Sequence, residues 1–336
     1  MTSSIPASAP VEAAATAPLL VVEDLEIRDM QGAPLVEGIC FHVNRGETLA
    51  IVGESGCGKS LTSLAIMGLL PPRLAETRRG AINFEGMDLT RLPAKSLRRL
   101  RGNRLSMVFQ EPLTALNPLL TIGAQIIEVL RTHRNISARE ARSRAIELLA
   151  KVRLPDPERR FDDYPHRLSG GQRQRVTIAM AIACDPVLII ADEPTTALDV
   201  TVQAQILDLL ADIRAETGQS LMLITHDLGV VGQVADRMVV IYAGMVVESG
   251  PVAKVLTSPR HPYTAGLLAA RPNSSYAATG IEVVDIPGAV PAPNARPTGC
   301  LFSPRCPRAR EECRDMRPDL LPDGDRSHAC FYPLEK

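Results

Sequence analysis

The chain has 336 residues, enough for one large domain and a smaller one, and hydrophobic residues make up 45% of it, so a sizeable core is available. Its formal net charge of -1 gives no overall attraction to nucleic acid, and no apolar stretch approaches the roughly 18–20 residues that a membrane-spanning helix requires. Residues 1–18 are rich in Ala, Ser and Pro, with neither early basic residues nor a sustained apolar run; they read as a disordered tail rather than a signal peptide, which places the chain in the cytosol, with any membrane role coming through a partner.

In chain order, Leu19 to Asp29 and Leu35 to Val43 suggest two strands around a turn at Gly32, and Arg45-Gly46-Glu47 turns the chain into the apolar strand Leu49 to Val52. Gly53-Glu54-Ser55-Gly56-Cys57-Gly58-Lys59-Ser60 follows, a glycine, four residues, then Gly-Lys-Ser. Leu61 to Leu70 continues as a helix broken only by Gly68. Strand, glycine loop and helix form the context in which this pattern cradles the phosphates of a nucleoside triphosphate rather than making an ordinary turn. The glycines let backbone N–H groups close on the phosphates, and the helix offers its positive end. Lys59 is expected to reach the β- and γ-phosphates and the Ser60 hydroxyl to ligate Mg²⁺. Cys57 stands inside the loop, where alkylation would block it.

Residues 81–84 and Leu105 to Phe109 suggest further strands, the second ending at Gln110. Between Pro112 and Leu168, Ala, Leu, Ile, Arg and Glu recur at helical spacing, as expected of a mainly helical insertion. Leu168-Ser169-Gly170-Gly171-Gln172 then precedes a helix over Arg173 to Ala183, giving a second anion site at a helix N-terminus. Val187 to Ala191 reads as a buried parallel strand delivering Asp192, placed for Mg²⁺, and Glu193, placed as general base toward the attacking water. The apolar runs Ser220 to Thr225 and Met238 to Tyr242 alternate with helices over Val200 to Glu216 and Asp227 to Ala235, which makes the fold α/β around a mostly parallel sheet.

With that LSGGQ stretch, and with Gln110, Ala197-Leu198-Asp199 and His226 following in order, the sequence resembles the ATP-binding cassette (ABC) ATPases. The resemblance implies a P-loop NTPase core with a β-subdomain and a helical subdomain. It also implies two cassettes packed head to tail, each ATP lying between the Gly53–Leu61 segment of one and Ser169, Gly170, Gly171 and Gln172 of the other. Glu193, His226 and Gln110 would be catalytic, Gln110 also joining Ser60 and Asp192 around Mg²⁺, and Asp199 would link the two sites. The family's aromatic platform for adenine has no counterpart in Leu25 to Met30; Arg28 and Met30 are the nearest candidates, and the platform stays unassigned.

After about Pro262, proline becomes dense and periodicity fades, and Cys300, Cys306, Cys313 and Cys330 follow at spacings of five, six and sixteen intervening residues. This stretch, opening with His261-Pro262-Tyr263-Thr264 and passing through Ile286-Pro287-Gly288, resembles the C-terminal extension of ATP-binding subunits from dipeptide and oligopeptide importers. The expected division is a tail over 1–18, an ABC ATPase domain over 19–262 with its helical subdomain at about 112–170, and a small Cys-rich module over 263–336. Without C-x₂-C knuckles the four thiols are expected to wrap a [4Fe–4S] cluster, with zinc or metal-free thiols as alternatives. Cys40, Cys57 and Cys184 read as small buried residues. The expected function is ATP-driven uptake of di- or oligopeptides at the cytoplasmic face of the membrane. Its expected partners are a second, related ATPase subunit in a heterodimer, two transmembrane permease subunits and, indirectly, an extracytoplasmic binding protein, with no nucleic acid. Import of nickel or another small solute, and a soluble nucleic-acid- or translation-associated ABC ATPase, are the alternatives.

Overall fold

Five consecutive buried residues, Thr48–Val52, form a central strand (β3) because every side chain in the run is apolar or small enough to be covered on both faces. The computed structural model describes residues 17–270 and 286–335; all but the last two residues of the expected N-terminal tail lie outside them. Two strands precede β3, Leu20–Asp29 (β1) and Pro34–Val43 (β2), and pair antiparallel with Leu20 opposite Val43. Ala75–Phe84 (β4) lies on the other side of β1 and begins well before the expected 81–84, because residues 75–79 pair with 26–29 although their side chains are largely exposed. Met87–Asp88 (β5) completes a four-stranded sheet in the order β2-β1-β4-β5.

The second sheet has eight strands. Leu105–Val108 (β6), Leu188–Asp192 (β7), Ser220–Thr225 (β8) and Arg237–Tyr242 (β9) join β3 in parallel, in the order β9-β3-β8-β7-β6. The register sets Val52 beside Thr225, Ile224 beside Asp192 and Ala191 beside Val108, so the carboxyl ends of β3, β8, β7 and β6 share one edge. Open α/β sheets bind their ligands at such an edge.

Beyond β6 the chain is helical, as the sequence suggests. Helices Ile122–His133, Ala138–Lys151 and Gly170–Ile182 enclose a core with Phe161, Leu130, Leu149 and Ile178. Ser137 and Glu140 close a reciprocal cap on the second of these helices. No helix among the described residues is long and apolar enough to cross a membrane.

The C-terminal stretch departs from expectation. A separate Cys-rich module is not supported, because this segment completes the cassette. Met245–Pro251 (β10) turns back antiparallel on β9, and Leu321–Asp323 (β11) with Arg326–His328 (β12) extends the same sheet through Glu248 opposite His328. Leu301, Phe302 and Tyr263 share one apolar cluster with Val52, Val240 and Tyr242. The weak periodicity of the tail therefore does not mean a missing core; its few large apolar side chains are covered by the cassette's own strands.

Candidate functional site

The chain leaves β3 at Gly53 with φ +153, where an added Cβ would stand 2.2 Å from the Ile241 carbonyl oxygen. Gly58 (φ +97) caps helix Lys59–Met67 in the left-handed region, and a Cβ there would meet Val36 at 2.9 Å. Lys59, the first residue of that helix and only 4% exposed, donates from Nζ back to the carbonyls of Gly53 (2.8 Å) and Glu54 (3.0 Å). Cys57 is buried, and burial pushes its thiol up, with Lys59 opposing, so the expected sensitivity to alkylation meets a covered, protonated sulfur.

Across the sheet edge, Ser60 Oγ donates to Asp192 Oδ1 at 3.0 Å. Burial raises the Asp192 carboxyl above its ordinary value, the Ser60 hydrogen bond pulls it back and the neighbouring Glu193 raises it again. Glu193 has φ +45, a backbone setting that costs a non-glycine residue free energy and tends to persist at functional sites. Its Oε2 accepts from Gln110 Nε2 (3.1 Å) and Thr196 Oγ1 (2.8 Å), while Oε1 lies 4.0 Å from Lys59 Nζ and 3.7 Å from His226 Nδ1. The structure thus brings Lys59, Ser60, Gln110, Asp192, Glu193 and His226 together from the ends of four strands. Ser60, Asp192 and Gln110 offer the hard oxygens that suit Mg²⁺.

The serine-glycine turn stands apart. Ser169 accepts from Gln172 N, Gln172 returns to Ser169 N, and the pair caps helix Gly170–Ile182. Gly171 packs so closely on Val202 that a Cβ would stand 2.5 Å from its Cγ1. Asp199 caps the helix Val200–Thr217 by accepting from Val202 N at 3.0 Å. No hydrogen bond or ion pair among the described residues joins this turn to the phosphate loop. Arg28 is tied to Glu26 (2.5 Å) and to the Gly32 carbonyl (2.8 Å), and Met30 stands exposed.

Two residues to which the sequence assigns no role at the site reach the phosphate loop from the C-terminal region. Arg305 forms a two-pronged ion pair with the Glu54 carboxylate, and the Tyr263 hydroxyl accepts from Glu54 N at 2.8 Å. Tyr263 belongs to the His261-Pro262-Tyr263-Thr264 motif, but no sequence signal marks Arg305.

Cys300, Cys306, Cys313 and Cys330 line one cavity of about 20 Å³ together with His261 and Phe302. Burial first, and then the neighbouring thiols, push Cys300 and Cys306 up and Cys330 to about 11. Among the described residues, however, no group of three or more His, Cys, Asp or Glu side chains is arranged to hold a metal ion, so the expected iron–sulfur or zinc ligation is not supported by this arrangement. Of the other cysteines, Cys184 is buried as expected, whereas Cys40 is exposed.

Comparison with known proteins places these features in context. Residues 36–196 match the family described as ABC transporter, and residues 247–313 match the family described as oligopeptide/dipeptide transporter, C-terminal region. The oligopeptide transport ATP-binding protein AppD of Bacillus subtilis is 49% identical over 330 residues, covering 95% of this chain and 98% of its own length. A Brucella abortus protein, provisionally named as a peptide import ATP-binding protein, is 50% identical over 318 residues, covering 94% of this chain and 95% of its own. Among solved structures, the dimeric post-hydrolysis cassette MJ0796 bound to ADP and phosphate aligns with a TM-score of 0.62 and 30% identity over 69% of this chain and 98% of that one. The cbiO1 subunit of the Clostridium perfringens cbiONQ transporter aligns with the same TM-score and 28% identity over 71% and 91%.

Proposed function

Because this chain belongs to the ABC transporter family of ATP-binding proteins, we propose that it hydrolyses ATP to power the uptake of di- and oligopeptides through a membrane importer. The observation that carries this reading is the convergence of Lys59, Ser60, Gln110, Asp192, Glu193 and His226 at one sheet edge. Lys59 would exchange its loop carbonyls for the β- and γ-phosphates. Ser60, Asp192 and Gln110 would hold Mg²⁺, which supplies charge neutralisation on the phosphates. Glu193 would take the proton of the water whose oxygen attacks the γ-phosphorus as the bond to ADP breaks. His226, on an exposed loop, would donate to the γ-phosphate.

The separation of Ser169–Gln172 from the loop within one chain supports a site completed by a second cassette, with Asp199 near the seam. A related ATPase is the proposed second cassette. Phe109, Leu113, Leu119 and Leu120 are exposed apolar residues following β6, and they give the permease subunits a surface next to Gln110. Through it, closure of the two cassettes would pass to the membrane while the chain stays at the cytoplasmic face. Peptide selection would belong to a separate binding protein. The proposed division is a cassette over 19–262, its helical part at about 112–170, and an extension over 263–336 that shares the cassette's sheet and core. A [4Fe–4S] cluster on the four thiols, with zinc the alternative, would act as a staple, but the thiols among the described residues are not arranged to hold a metal, and a cavity of about 20 Å³ means the loops would have to spread to admit one.

Purifying the importer anaerobically, then assaying peptide-stimulated ATP hydrolysis together with iron, sulfide and zinc content, tests these assignments. ATPase activity unmoved by peptide but raised by nickel would replace the substrate. A salt-dependent nucleic-acid shift would replace the class. Iron and zinc both absent would leave metal-free thiols.

A further inference from the structure

The phosphate loop is held from outside by the loop that carries the first two thiols of the cysteine cavity. Arg305 Nη1 and Nη2 donate to Glu54 Oε2 (2.7 Å) and Oε1 (2.9 Å), a planar fork on a carboxylate. The other N–H groups of the guanidinium donate to the carbonyls of Pro287 (2.9 Å) and Ile286 (3.2 Å) and to the Tyr242 hydroxyl (3.4 Å), so its position is fixed by several partners. Arg305 sits in a run of tight turns. Ser303 N donates to the Cys300 carbonyl at 3.0 Å, Arg305 N to Phe302 at 2.9 Å and Cys306 N to Ser303 at 3.4 Å. Cys300 N also donates to the Cys313 carbonyl at 2.8 Å, which ties in a third cysteine.

A second strut runs in parallel. Phe302, from the same turns, packs edge-on against Tyr242 and Tyr263 with centroids 5.2 and 5.4 Å away, and Tyr263 takes the Glu54 N–H on its hydroxyl. Glu54 is therefore held by side chain and by backbone from one C-terminal unit. Its carbonyl is in turn one of the two that receive Lys59 Nζ. A shift of the Cys300–Cys306 loop reaches Glu54 directly through the Arg305 fork, and less directly through Phe302 and Tyr263, and passes onward to the resting place of the phosphate-binding lysine.

We propose that Arg305 is a positioning residue that couples the Cys300–Cys306 loop to the phosphate loop, so that the way the cysteine loop is held sets the affinity for ATP. This coupling rests on the ATP site assigned above. It is reciprocal by linkage: nucleotide bound at Gly53–Ser60 quiets the cysteine loop by the same factor that the ordered loop tightens nucleotide. Lysine cannot reproduce the fork, so Arg305→Lys carries the same defect in a form that keeps the charge.

The experiment measures binding of a fluorescent N-methylanthraniloyl ATP with Mg²⁺ to the full chain, and hydrogen exchange of amides 299–309 with and without that nucleotide. The variants are Arg305→Lys, Arg305→Gln, Glu54→Gln and the Glu54→Gln/Arg305→Gln double. Arg326→Gln is the control, since Arg326 anchors the C-terminal region on the Lys254 and Ser258 carbonyls, away from the loop. Both Arg305 variants should bind nucleotide on the order of tenfold more weakly, the double variant no more weakly than Glu54→Gln alone. Exchange over 299–309 should slow with nucleotide in the wild type and Arg326→Gln but not in the Arg305 variants. Wild-type affinity in both Arg305 variants, an equal loss in Arg326→Gln, or loop exchange indifferent to nucleotide in the wild type overturns the coupling. A wild type that binds no nucleotide overturns the ATP site first, and the coupling with it.

Discussion

Glu193→Gln separates binding from chemistry. In the structure Glu193 Oε1 stands 4.0 Å from Lys59 Nζ, with both side chains largely withdrawn from water. Two unit charges at that separation attract by about 4 kcal/mol at an effective dielectric of about 20, a ceiling on what the pair contributes. The amide removes that hold on Lys59 and leaves it freer for phosphate, so affinity for Mg-ATP should stay level or rise. The isosteric amide still accepts from Thr196 Oγ1 through its oxygen, and the strained turn at Glu193 stays in place. Hydrolysis should instead fall by about 10²–10⁴, the usual contribution of a positioned base, or about 3–5 kcal/mol of barrier. Nucleotide binding by equilibrium titration and single-turnover release of phosphate by the purified importer read the two effects apart. A folded, ATP-bound Glu193→Gln complex that turns over within about threefold of wild type, less than 1 kcal/mol, would refute the assignment of the base.

Three further outcomes are expected. Ser169→Ala removes the cap on helix Gly170–Ile182 and should cost about 1 kcal/mol in denaturant titrations, and in the Glu193→Gln background it should abolish the proposed ATP-dependent pairing of cassettes, with size exclusion as the readout. Leu113→Asp and Leu119→Asp change side chains 64% and 82% exposed, so stability should move by no more than about 0.5 kcal/mol, yet the permease subunits should no longer co-purify. His261 is buried, and burial, with His328 second, holds its pKa down to about 3. The folded chain therefore carries it neutral while the unfolded chain binds its proton below about 6.5. Stability should fall as the pH drops from about 6.5 toward 3, by up to about 1.4 kcal/mol per unit, and His261→Gln should remove that part of the slope in unfolding curves taken at several pH values.

The convergence of the proposed site residues at one sheet edge is legible in the sequence because its parts are short contiguous patterns whose order along the chain carries meaning. The glycine loop, the strand ending in Asp192-Glu193 and the capped turn at Ser169 each declare their chemistry within a few residues. Parallel strands buried on both faces are continuous apolar runs, so β3, β7, β8 and β9 could be read off directly, with the helices between them. β4 was cut short because its first half is exposed and charged, held by its pairing with β1. β11 and β12 are not legible because antiparallel strands of three residues at a sheet edge carry no period, and β10, though longer and flanked by β9 and β12, alternates only weakly.

The amino-acid order thus determined which strand ends carry the groups proposed for phosphate, metal and proton, since those depend on neighbours in the chain. Folding alone decided that the cysteine-bearing end is built into the cassette and grips its nucleotide loop. Glu54 and Arg305 are 251 residues apart, and nothing local to either announces the other. A carboxylate and a guanidinium become partners only when packing of Phe302, Tyr242 and Tyr263 brings their loops to the same place.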